Sequence, residues 1–129
     1  DYRHRGVPKA PPALSEQEVA ALVDSTPGAT LDRFDAVCDH LARVHPSKYA
    51  RLVEGVPLVG LTGVHQLTSQ DVALRLVVLL DRLYDNDVPV AAAGESLGSL
   101  FTPEMLKGGY RKKYFRSLSR LAALAEMAR

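Results

Sequence analysis

The stretch that decides the fold is residues 72–94, VALRLVVLLDRLYDNDVPVAAAG. Apolar side chains recur at three- and four-residue steps as far as Tyr84, the period of an amphipathic helix, and a continuous apolar run follows from Val88. Ser69 is placed to accept from the free N–H groups of a first turn, so a helix is expected over 70–84. Asp85-Asn86-Asp87 supplies turn chemistry, because short polar side chains satisfy nearby backbone groups, and VPVAAA at 88–93 reads as a strand. Upstream, VPLVGL at 56–61 is a second short run, apolar on both faces, as suits a strand covered by helices on either side. Strand, long helix and strand make one crossover, which implies a parallel pair with the helix on one face.

Working outward, Ser15 and Glu18 form a capping box for a helix over 15–25 with Val19, Leu22 and Val23 inward. After Thr26-Pro27-Gly28, the residues Leu31, Phe34, Val37, Cys38, Leu41 and Val44 paint one apolar stripe and predict a helix over 31–44. Pro46 ends it and opens a short helix that turns Tyr49, Leu52 and Val53 inward before Gly55. Residues 97–105 read as a loop with a helical turn. Gly108-Gly109 then frees the backbone ahead of a last helix over 110–127, with Tyr114, Leu118, Leu121 and Ala125 inward. Residues 1–14 carry prolines and basic groups without a period and read as a linker; 15–129 form one α/β domain, a small parallel sheet with packed helices.

Sixteen basic against fifteen acidic side chains leave a net charge of +1, which argues against bulk attraction to nucleic acid or membrane. The single cysteine, Cys38, has no partner for an internal disulfide and sits in an apolar setting, which suits a reducing, cytoplasmic compartment. No apolar run approaches the ~20 residues of a membrane span. The chain opens at Asp1 without a signal-like segment and reads as a piece of a longer protein.

The densest charge lies in KGGYRKKYFRSLSR, residues 107–120, with six basic side chains and no acidic one. On a helix, Lys113, Arg116 and Arg120 align on one face, which suits either phosphate oxygens or plain solvent. Lys107, Arg111, Lys112 and Lys113 extend the patch for an anion or an acidic partner. Arg75, four positions after Asp71, fits an ion pair within its helix, or an arginine directed at a phosphate or a neighbouring subunit. His4, His40, His45 and His65 show no metal-ligand spacing, and no metal site is expected. The glycine-rich pieces at 60–63 and 96–99 lack the lysine of a phosphate loop and read as turns. Ser69, His65 and Asp71 lack the G-x-S-x-G elbow that would support a hydrolase triad, so no catalytic residue is assigned.

Arg75, Asp81, Tyr84 and Asp85 with the strand behind them resemble the pattern ARRFI-LVD-LYD--V-LVVSA of the ZapE family of AAA-type P-loop ATPases. RLVEGVPLVGLTGV at 51–64 is similar to that family's RLFHTV-L-DVPVM, and YFRSLSRLAALAEM at 114–127 to its F-F-R--SRL-EM ending. Asp1-Tyr2-Arg3 matches the DYR with which the family's ATPase core ends. The resemblance departs at Gly60, where the family has an aspartate, and near Ala93, where it has a serine. It implies the C-terminal region of an ATP- and Mg-dependent, cell-division-associated ATPase, a divergent bacterial branch, in which this sheet is part or satellite of the ATPase sheet. It implies an upstream ATPase core and a division-ring or other protein as partners, with self-association through an exposed strand edge. Arg116, Arg120 and Arg75 are the implied nucleotide-sensing residues. The 129 residues hold no G-x-x-x-x-G-K-[ST] loop, so the piece alone is expected to be inactive and to bind no cofactor. The alternative is an interaction module that binds acidic protein, nucleic acid or lipid through helix 107–120, nucleic acid being the poorest fit to the net charge.

Overall fold

The computed structural model describes residues 7–129; the matching DYR at the start of the chain lies outside them. The elements run α1 (Glu16–Asp24), β1 (Thr30–Arg33), α2 (Phe34–Arg43), a 3-10 turn (Pro46–Lys48), α3 (Tyr49–Val53), β2 (Val59–Val64), α4 (Gln70–Asp85), β3 (Val90–Gly94), 3-10 turns at Leu97–Ser99 and Met105–Lys107, and α5 (Arg111–Met127). The three strands form one parallel sheet in the order β1-β2-β3. The fold is therefore α/β.

Side-chain alternation along β3 divides the core. Val90 and Ala92 join the larger cluster under α2, α3, α4 and α5, with Leu76, Leu80, Leu83, Leu118 and Leu121. Ala91 and Ala93 face the other way, against Val19, Leu22 and Val23 of α1. Small residues let α1 lie close on that side: a Cβ on Gly60 would meet the Val23 side chain at 2.6 Å. The aspartate found at this position in the resembling pattern has no room here.

The helix-start chemistry forms as the sequence indicates. Ser15 Oγ accepts from Glu18 N–H while Glu18 Oε1 accepts from Ser15 N–H, and Ser69 Oγ accepts from Val72 N–H. The Ser15 backbone and hydroxyl together hold the Glu18 carboxyl below its ordinary pKa. Tyr49 hydroxyl donates to the Leu41 carbonyl at 2.7 Å and ties α3 to the end of α2. Asp87 takes φ 51°, the left-handed turn geometry that a short polar side chain tolerates, and delivers the chain into β3.

Three readings change. Thr30–Arg33 is a strand, not the start of a helix, and Leu31 is 48% exposed rather than part of the inward stripe. Pairing with β2 overrides the helical period there. Strand β2 begins at Val59, later than 56, and runs through 60–63, so that glycine-rich piece is strand rather than turn. Its irregularity is a bulge between Leu61 and Val64, at which Gly63 adopts φ 67°. Leu52, expected inward, is 38% exposed and lines a cleft.

Residues 7–14 form no helix, yet they lie along the body. Ala10 packs on the main core, Leu14 N–H donates to the Ala92 carbonyl at 3.0 Å, and Arg129 donates to the Pro12 carbonyl.

Candidate functional site

Helix α5 lies against α4, and the two arginines singled out on it meet one carboxylate. Arg120 Nη1 donates to Asp81 Oδ1 at 2.6 Å, and Arg116 Nη2 stands 3.8 Å from Asp81 Oδ2. Asp81 is mostly buried, at 17% side-chain exposure, against 28% for Arg120 and 45% for Arg116. Arg120 also stacks over the Tyr84 ring at 4.8 Å, which places a flat cation on the negative face of the ring. Asp81, Tyr84, Arg116 and Arg120 thus make one cluster, two residues from each helix.

Arg75 does not join it. At about 100° per residue, positions 75 and 81 sit about 120° apart around α4, so they face opposite flanks. Arg75 is half-buried on the α3 side and forms no ion pair with Asp71 among the described residues. A half-buried arginine reaches out to water more readily than back to an exposed carboxylate one turn away. Its charge is felt by Tyr49, whose phenol burial pushes up while Arg75 opposes the shift.

The remaining basic residues divide in the same way. Arg111 donates to the Gly108 carbonyl at 3.1 Å, and with Lys107 it borders a cavity of about 700 Å³ beside Phe101, Pro103 and Leu106. Lys113 stands over the Tyr110 ring at 5.6 Å on the flank that α5 shares with Arg116 and Arg120. Lys107, Arg111, Lys112 and Lys113 are all exposed and have no carboxylate partner among the described residues.

A second cluster, which the sequence reading did not single out as a unit, sits at the carboxyl ends of the strands, where open α/β sheets place their polar sites. His65 follows β2, and its Nε2 lies 2.5 Å from Asp35 Oδ1 at the start of α2. Its Nδ1 lies 2.8 Å from the Gln66 carbonyl. Carboxylate and carbonyl oxygens both accept, so the two contacts are made together when both ring nitrogens carry a proton. The Asp35 hydrogen bond is the main cause that raises the His65 pKa, with the Gln66 carbonyl next. Phe34 meets the ring edge-on at 5.3 Å. Glu95, after β3, accepts from Gln66 N–H, and Gln66 Nε2 donates to the Ser99 carbonyl, so the loops after β2 and β3 are laced together. The paper triad of Ser69, His65 and Asp71 is not what forms, because His65 is committed to Asp35. The half-buried Cys38 nearby has its thiol pushed up to about 11, first by burial and then by Asp35 and Asp39. Neither cluster pairs an activated nucleophile with a free base.

Among the described residues no group of three or more His, Cys, Asp or Glu is placed to hold a metal ion. No helix among them is long and apolar enough to cross a membrane.

The fold and charges define a class: an α/β domain on a parallel sheet, with ion-paired helices on one face and no phosphate-binding loop. The chain belongs to the AFG1-like ATPase family, whose sequence model matches residues 1–128. No curated protein and no solved structure matches the chain.

Proposed function

We propose that the chain is the C-terminal domain of a cytoplasmic, cell-division-associated member of this ATPase family, coupling nucleotide state to a protein partner such as a division-ring polymer. The observation that carries the reading is a mismatch: an ATPase family is matched along residues 1–128, yet the 129 residues contain no phosphate-binding loop. ATP and Mg would be held by an ATPase core preceding this domain.

Within that reading, Arg116 is the arginine that meets nucleotide. It is nearly half exposed and loosely held, so turning from Asp81 to a phosphate exchanges one anion for another at small cost. Arg120, held at 2.6 Å and stacked on Tyr84, stays as the fixed end of the cluster. Arg75, on the opposite flank of α4, serves a separate contact with the core. In the complete enzyme, Arg116→Ala is expected to slow ATP turnover about tenfold, below the ~10³-fold of a direct arginine finger. Unchanged turnover in Arg116→Ala sinks the assignment.

A second reading, an interaction module for an acidic protein, nucleic acid or lipid, is favoured by one observation: the four exposed cations Lys107, Arg111, Lys112 and Lys113 lack carboxylate partners among the described residues. Binding of that kind would weaken steeply between low and physiological salt, whereas apolar docking on an ATPase core would hardly change.

A further inference from the structure

The outer edge of β1 and the cleft beneath it take no part in the arginine clusters or the basic patch. Thr30 N–H donates to the Leu58 carbonyl at 3.0 Å, so Thr30 and Asp32 direct their main-chain groups toward β2. By strand alternation the N–H and C=O of Leu31 and Arg33 point the other way, and β1 is the last strand on that side among the described residues. Under the same strand lies a cavity of about 450 Å³, within the range of ordinary ligand sites. Its walls are mostly apolar, among them Val37, Leu41, Leu52, Leu79 and Leu83; the side chains of Thr30 and Asp32 reach it from β1, and His40 lines it from α2 without an ion pair to Asp32. Leu31 faces the opposite side of the sheet, toward Gly60 and α1. Unpaired main-chain groups and an apolar pocket therefore run side by side, the arrangement used by proteins that accept an added strand.

We infer that this edge receives an extended segment of a partner protein. The segment pairs with the main chain of Leu31 and Arg33, sets one large apolar side chain into the cleft beside Thr30, and places a lysine or arginine beside Asp32 two residues on. Charge complementarity selects this occupant. Asp32 lies at the cleft and has no cationic partner among the described residues, so an incoming cation finds a ready carboxylate. A second copy of this chain fits poorly, since its own β1 would offer only Thr30 and Asp32 to that face, leaving the pocket empty and adding a carboxylate next to Asp32. The shortness and charge of the edge match the way natural edges resist indiscriminate pairing, which leaves room for a partner that answers the charge. The inference is independent of the nucleotide reading, because Arg75, Arg116 and Arg120 take no part in it and its test contains no nucleotide.

The test titrates the 129-residue chain with the peptide acetyl-Thr-Val-Thr-Leu-Thr-Lys-Thr-amide and follows amide signals and their hydrogen exchange by NMR. Saturable binding is expected, with slowed exchange at Leu31 and Arg33. Replacing the peptide's lysine by glutamate should weaken binding about three- to tenfold, and Asp32→Lys should reverse the order of the two peptides. Ala36→Trp, a change at an exposed helical position lining the cleft, should block the pocket and abolish binding while the fold persists. Absence of saturable binding up to about 1 mM peptide overturns the inference. So does binding that leaves both amides unprotected, or a peptide order unchanged in Asp32→Lys. Protection of both amides in peptide-free dimers would overturn it in favour of a second copy.

Discussion

Removing the Asp81 carboxylate should loosen the packing of α5 on α4 by a calculable amount. Asp81→Ala deletes the acceptor of Arg120 at 2.6 Å and the weaker neighbour of Arg116 at 3.8 Å. Two unit charges in contact near a protein surface attract by about 4 kcal/mol before desolvation is counted. Desolvating a carboxylate with 17% exposure takes back much of that, leaving about 1–2 kcal/mol for the Arg120 pair. The Arg116 contact, long and half exposed, contributes about 0.2–0.5 kcal/mol. Stranding Arg120 beside the ring of Tyr84 without its counter-charge adds to the loss, for a total near 2–3 kcal/mol. Urea denaturation of the wild type, Asp81→Ala, Arg120→Ala, Arg116→Ala and the two double variants gives the pairwise terms directly. The coupling of Asp81 with Arg120 should be about 1–2 kcal/mol and with Arg116 at most about 0.5. A loss under about 0.5 kcal/mol for Asp81→Ala, or equal couplings for the two arginines, would refute the reasoning.

Gly94→Ala should be the most damaging single-methyl change. Gly94 holds φ 133°, and an added Cβ would lie 2.4–2.5 Å from the Val64 main chain, so a loss of more than about 3 kcal/mol is expected in urea or thermal denaturation. Cys38, with its pKa raised from 9.0 to about 11, should carry about 100-fold less thiolate at pH 8 and alkylate with iodoacetamide correspondingly slowly until urea is added. The His65–Asp35 pair should stabilise the fold by a surface-pair amount, about 0.2–1 kcal/mol, because both side chains are more than a third exposed. The folded-state pKa of His65 is raised, so this contribution is complete below its unfolded pKa near 6.5 and fades as pH climbs through the folded value. The stability gap between wild type and His65→Gln should therefore narrow from pH 5.5 to pH 8.5, and a gap that widens contradicts the assignment.

Local signals carried much of this fold. The capping box at Ser15 and Glu18, the Ser69 cap, the period of α4 and the stripe of Tyr114, Leu118, Leu121 and Ala125 are each written within one turn or one face, and each forms. Strand β1 was not legible, because TLDR has no apolar period and is held as a strand only by β2, whose matching residues begin at Val59. The late start of β2 has the same cause: Leu58 is buried against α1 just ahead of the strand, and Gly60 reads as a turn until α1 is known to need its missing Cβ. At the candidate site, the alignment of Lys113, Arg116 and Arg120 followed from helical spacing. Their counter-ion did not, since Asp81 lies 39 residues from Arg120. His65 and Asp35 are 30 residues apart and meet only because successive parallel strands bring their carboxyl ends to one edge of the sheet. Arg75, the cheapest local ion pair on paper, stays apart from Asp71 because helix spacing permits such pairs without enforcing them.

We propose that this domain serves an ATPase without performing the hydrolysis. The measurement that bears on it most directly is Mg-ATP turnover by the 129-residue chain alone, beside the complete enzyme and its Arg116→Ala variant. Background turnover is expected of the chain alone, turnover of the complete enzyme, and a slowing of about tenfold in Arg116→Ala. Turnover by the isolated chain, or a complete enzyme indifferent to Arg116→Ala, would contradict it.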